Sequence, residues 1–174
     1  MTVPATTLES FSRLHEDVRH GDFLDCFSVR LRNPAPLTET TQRIFIDLPV
    51  WIRGLLLVRD VAITPLGLKT TAGLPSNTTF RDELLVGDAV GFLCVRELSD
   101  DEIILGEEDA HLDFKISVHR TPSDPQMIGL ATWVRCKNRF GRVYLKTITP
   151  FHKRIVKSRL SAVAGSRRSH REIR

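Results

Sequence analysis

From Arg81 onward the chain becomes a series of apolar, β-forming runs of strand length, separated by short clusters of turn residues. This succession constrains the fold more than any other feature. The runs are Ala89–Leu98, Glu102–Gly106, His111–Arg120, Ile128–Lys137 and Arg142–Thr149. Between them stand Ser99-Asp100-Asp101, Glu107-Glu108-Asp109, Pro122-Ser123-Asp124-Pro125 and Asn138-Arg139-Phe140-Gly141, each with hairpin chemistry. The pattern predicts an antiparallel meander.

Upstream, Leu8, Phe11, Leu14, His15 and Val18 recur at helical spacing, which predicts a short amphipathic helix over 8–20, ended by Gly21. Phe23 to Leu31 reads as a first strand, with Phe23, Asp25, Phe27, Val29 and Leu31 on one side. Thr38 to Leu57 carries Phe45, Leu48, Ile52, Leu55 and Leu56 and is split by Pro49, which predicts a two-part helix. Ala72 to Thr79 is rich in turn formers and reads as a loop. After the last run, Pro150 stands at an expected helix start with Thr149 as cap, and Phe151, Ile155, Leu160 and Val163 form an apolar stripe ending near Gly165. The fold class is therefore α+β: a curved antiparallel sheet closed by a long C-terminal helix. At 174 residues a single core is expected. Residues 1–165 read as one domain and 166–174 as a basic, frayed tail.

Charge divides along the chain. Arg135 to Arg174 hold 13 Lys or Arg and one acid, Glu172, whereas the preceding residues carry a net −8. A basic C-terminal segment can dock on an acidic partner, or can complement acidic loops of its own chain. Cys26, Cys94 and Cys136 are odd in number and lie in apolar runs, which fits buried thiols in a reducing compartment. No basic-plus-apolar leader and no run approaching a membrane span is present, so a cytoplasmic protein is expected. The sequence also lacks Cys-x-x-Cys, His-Glu-x-x-His, a phosphate-cradling Gly-rich loop and a Gly-x-Ser-x-Gly elbow; no cofactor and no metal is expected.

Alternation in 111–120 puts His111, Asp113, Lys115, Ser117 and His119 on one face and Leu112, Phe114, Ile116 and Val118 on the core face. His111 and Asp113, two apart on one side of a strand, are candidates for acid/base work, with Tyr144 and His152. Glu107, Glu108, Asp109, His111 and Asp113 have ligand types for a divalent cation, but adjacent acids on a hairpin rarely converge, and a solvated turn is the better reading. Trp51, Phe92, Phe114, Trp133 and Tyr144 are spread over elements that would face one another, and are the candidate pocket-lining residues. Arg59-Asp60 suits an internal ion pair. Basic residues from Arg135 to Lys146 flank Phe140, but aligned aromatics for stacking bases are missing, which argues against nucleic acid. An exposed edge strand would permit a homo-oligomer.

Several segments together resemble a known family. They are Arg59-Asp60 with Leu66-Gly67-Leu68, Gly87-Asp88 before a Gly-Phe strand, Leu105 to Lys115 with its His111-Leu112-Asp113-Phe114 block, Asn138 to Tyr144, and Pro150-Phe151-His152. This set is similar to bacterial domain-of-unknown-function family 2867, over roughly residues 20–163. The family in turn resembles the Bet v 1 and polyketide-cyclase group of helix-grip domains. The resemblance implies a hydrophobic cavity between sheet and terminal helix that binds a small, partly apolar molecule. A cofactor-independent cyclase, dehydratase or isomerase would use the same pocket, and an interaction module would use the basic segment instead. Some related domains are fused to dehydrogenase-like Rossmann domains; this sequence has no Gly-x-Gly-x-x-Gly segment.

Overall fold

The computed structural model describes residues 3–63, 79–108 and 111–165. Most of the expected loop at Ala72–Thr79, the segment Leu66-Gly67-Leu68, the pair Asp109-Ala110 and the tail from Ser166 lie outside them, as does the Arg59 side chain. Six strands, β1 (Phe23–Arg30), β2 (Ala89–Val90), β3 (Leu93–Leu98), β4 (Glu102–Glu108), β5 (Leu112–Thr121) and β6 (Asp124–Cys136), form one antiparallel sheet. Its order is β1-β6-β5-β4-β3-β2, so the meander runs outward from β6 and the first strand joins the last. The helices are α1 (Leu37–Phe45), α2 (Val50–Ile63) and α3 (Arg139–Gly165). The α+β class, the helical pair divided at Pro49 and the long C-terminal helix all match expectation.

Three local expectations fail. The 8–20 segment holds only one 3₁₀ turn, Arg13–Glu16, because its apolar residues are used on the sheet's outer face rather than on a helix stripe: Leu14 is fully buried there beside Leu8 and Val18. The Ala89–Leu98 run is two strands, not one. Gly91 takes φ +62° between them, and a Cβ there would lie 2.7 Å from the Phe45 carbonyl oxygen, so only glycine turns the chain at that point.

The largest correction concerns Arg142–Thr149, which is helix and not strand. Asn138 is no hairpin residue; its Oδ1 accepts from the Gly141 amide at 2.9 Å and caps α3. From that start Phe140, Tyr144, Ile148 and His152 recur every four residues toward the sheet, a helical stripe that β-branched Val143, Thr147, Ile148 and Thr149 disguise. Thr147 and Thr149 donate their hydroxyls to the carbonyls of Val143 and Leu145 at 3.0 and 2.6 Å. Pro150 is therefore inside the helix rather than at its start, and the carbonyl of Lys146 that loses its partner belongs to an exposed turn.

Strand register sorts the inner face into rows. Phe27, Leu130, Val118 and Ile103 form one, flanked by Val29 and Ile128, and all are buried beneath α1 and the C-terminal turns of α3 (Val156, Leu160, Val163, Ala164). The neighbouring rows, Phe23-Val134-Phe114-Glu107 and Asp25-Thr132-Ile116-Leu105, lie farther from α1. Here the packing opens.

The outer face is covered too. Thr6 donates its amide to Cys26, and the chain then crosses the sheet so that Leu14 meets Cys26, Ile104, Ala131 and Trp133. A buried polar cluster anchors this crossing. The Glu102 carboxylate accepts from Ser12 Oγ (2.5 Å), the Arg13 amide (2.9 Å) and Ser117 Oγ (2.6 Å). Because the single Ser117 proton goes to Glu102, the 3.0 Å contact between Ser117 Oγ and His119 Nδ1 requires Nδ1 to carry the donor proton. Burial pushes the His119 pKa down, which suits a neutral ring.

Candidate functional site

Under α2 and the first two-thirds of α3 lies a cavity of about 600 Å³. Side chains fill protein interiors to crystal-like density, with few voids larger than a water, so a space of this size is not a packing irregularity. Its floor is the two open rows of the sheet, including Phe23, Phe114, Ile116, Thr132 and Val134. Its roof is the α3 face from Phe140 to Arg159, and Leu48, Ile52, Leu55 and Leu56 close one side. The nineteen 1.5 Å rises from Phe140 to Arg159 set these two lining residues about 28 Å apart along the helix axis, so the space is elongated. Val58, Val143 and Phe151 line it and are nonetheless 67, 64 and 51% exposed, which puts the mouth between α2 and α3.

The wall is mostly apolar, with a few polar groups. His152 Nε2 stands 3.3 Å from Asp25 Oδ1, its ring edge-on to Phe23. Asp25 Oδ2 and its cross-strand neighbour Thr132 Oγ1 are buried and have no hydrogen-bond partner among the described residues. Arg159, 7% exposed, lines the end nearest α1. Its Nε donates to the Ile44 carbonyl at 2.9 Å and Nη2 to that of Arg43 at 2.5 Å.

The residues singled out from sequence separate cleanly. Phe92, Phe114 and Tyr144 line the cavity, as does His152. Trp133 does not: it projects from the opposite side of β6, buried against Leu14, with its Nε1 donating to Asp22 at 2.9 Å. Period-two alternation places Trp133 opposite Thr132 and Val134, and both faces of this sheet are covered, so burial alone says nothing about which one a tryptophan serves. Trp51 sits outside the lining, 40% exposed, under the Arg154 guanidinium. Asp113 points to the outer face and pairs with Lys137 at 2.7 Å. His111 lies beyond the cavity end, against Asn138 and Phe140, and Phe140 stacks on Tyr144. Tyr144 and His152 are eight residues apart, about 12 Å along the axis, and so do not meet at one point. No cluster of metal-ligand side chains occurs among the described residues, and none of the described helices is long and apolar enough to cross a membrane.

Residues 18–159, from just before β1 through most of α3, match the profile of a family described as a protein of unknown function, DUF2867. The chain belongs to the DUF2867 family. No curated protein and no solved structure matches it. In this DUF2867 member, sequence reasoning missed Asp25, Thr132 and Arg159. For Asp25 and Arg159 a signal was present: a charged residue inside an otherwise apolar face is the pattern of a buried polar group with a task.

The basic charge of the C-terminal segment divides as well. Arg135 pairs with Asp22, and Lys137 with Glu108 and Asp113. Along α3, Arg139, Arg142, Lys146, Lys153, Arg154 and Lys157 are exposed, and no acid occurs within the helix.

Proposed function

We propose that this protein binds an elongated, largely apolar small molecule in the cavity between the sheet and α3. The observation that carries the reading is the cavity itself: about 600 Å³, walled by aliphatic and aromatic side chains, with a few polar groups. Ligand pockets have this size and this balance of lining. The element order, a strand, a helical pair, a meander and a long terminal helix, supports the resemblance to helix-grip domains. In that arrangement a ligand lies between helix and sheet.

Nile red, a neutral dye that brightens in apolar surroundings, tests the idea. It is expected to bind the wild-type protein. Ile116→Trp places added bulk in the cavity floor, and is expected to weaken dye binding by about tenfold or more while leaving the denaturation midpoint nearly unchanged, since the indole enters empty space. A wild-type protein that leaves Nile red dark would sink the proposal, and so would undiminished binding by Ile116→Trp.

A second reading rests on the Asp25 and His152 pair. A carboxylate that orients an imidazole in a cavity wall is the arrangement of a general acid/base, with His152 Nδ1 left to exchange protons with a bound molecule. For a long-chain methyl ketone that displaces Nile red, deuterium exchange beside the carbonyl in heavy water is then expected to be about 100-fold faster with the wild type than with His152→Gln. Equal rates would leave a binding protein only.

A further inference from the structure

Resting on the cavity reading, we infer that the bound molecule is an anionic amphiphile whose carboxylate pairs with Arg159 at the inner end of the cavity. A guanidinium carries five N–H donors in two useful edges. The side edge, formed by Nε and one Nη2 proton, is taken by the consecutive Ile44 and Arg43 carbonyls at the end of α1. That leaves the terminal Nη1 and Nη2 edge, the fork that fits a carboxylate with two parallel hydrogen bonds.

The cation is also short of a counter-charge. Among the described residues no carboxylate forms an ion pair with Arg159, and Arg43, one of the two residues whose carbonyls it meets, already spends its own side chain on Glu39 at 2.6 Å. Asp47 acts on it only from an exposed position. The α1 carbonyls offer partial negative charge, enough to seat the group but less than a formal anion provides. Arg159 lines an apolar chamber with one edge fixed, and a buried charge so placed is costly when empty and strongly selective when matched. The chamber's length and aliphatic wall then specify the remainder of the ligand, a long hydrocarbon chain trailing toward the mouth at Val58, Val143 and Phe151. One guanidinium matches one negative charge and a planar head, which favours a carboxylate over a phosphate monoester.

The experiment is displacement of Nile red from the wild-type protein, above pH 7, by myristic acid, myristyl alcohol and methyl myristate. The acid is expected to compete at concentrations about tenfold or more below those of the alcohol and the ester, the increment of a charge-assisted hydrogen bond. Arg159→Met is expected to erase the difference between acid and alcohol, and Arg159→Lys to keep part of it. Equal displacement by all three competitors on the wild type overturns the inference while leaving an apolar cavity, and this comparison needs no variant to fold. A preference for the acid that survives in Arg159→Met overturns it equally. Nile red that does not bind, or that no competitor displaces, refutes the cavity reading and this inference with it.

Discussion

Replacing Glu102 by alanine is expected to lower the free energy of unfolding by about 3 kcal/mol, read by urea denaturation. Three donors converge on this carboxylate, and two of them, Ser12 Oγ and the Arg13 amide, belong to the segment that crosses the outer face. Donors left unsatisfied in a buried site cost roughly 1–3 kcal/mol each, and the hydroxyls can only partly reorient. Loss of a buried charge also relieves its desolvation cost, which works the other way. The two effects are separable: Ser12→Ala and Ser117→Ala combined with Glu102→Leu removes the acceptor and both hydroxyl donors, leaves only the Arg13 amide of the three donors unsatisfied, and should be less destabilised than Glu102→Ala alone. Amide exchange over residues 9–16 should accelerate in Glu102→Ala, since the Leu14 contact to the sheet depends on that anchor. A loss under about 0.5 kcal/mol, the usual range of an inconsequential surface change, would show that the cluster does not hold the segment.

Gly129→Ala is expected to cost about 2–3 kcal/mol, although it adds a single methyl group. Gly129 and His119 are cross-strand partners, and the imidazole lies over the glycine: a Cβ there would fall 2.0 Å from His119 Nε2. The ring has little room to withdraw, being 3% exposed, edge-on to Phe11 at 5.8 Å between centroids, and bonded to Ser117. Since Ser117 also serves Glu102, displacement of the ring disturbs the same anchor. The double variant Gly129→Ala with His119→Ala relieves the clash, and its destabilisation should fall short of the sum of the single changes by more than about 1 kcal/mol. Strict additivity would mean that the ring yields freely and that the close approach is not what makes glycine necessary.

Both effects arise on the outer face, where alternation in 111–120 already sets Ser117 and His119 on the side opposite Phe114, Ile116 and Val118. Period two is a property of the strand backbone, so that division was legible in the order of residues alone. The same holds for the first strand, the helical pair broken at Pro49 and most of the meander, where turn residues and chain stiffness act within a few positions of one another. The segment Arg142–Thr149 was not legible in the same way. Its β-branched content favours a strand locally, but β6 already ends the meander between β1 and β5, and the Asn138 cap directs the chain into α3 instead. Which face Trp133 serves was equally undecided, because both faces of the sheet are buried.

The candidate site depends almost wholly on tertiary structure. His152 and Asp25 are 127 residues apart in sequence, and Arg159 reaches carbonyls 115 and 116 residues away. A cavity is what remains when α1 and the end of α3 fill only part of the sheet's inner face. Sequence by itself determined which side chains share a face, since that follows from backbone periodicity. Only the packing of distant elements decided which face would close into a core and which would stay open, because a void is set by the summed volumes of side chains that no local pattern brings together.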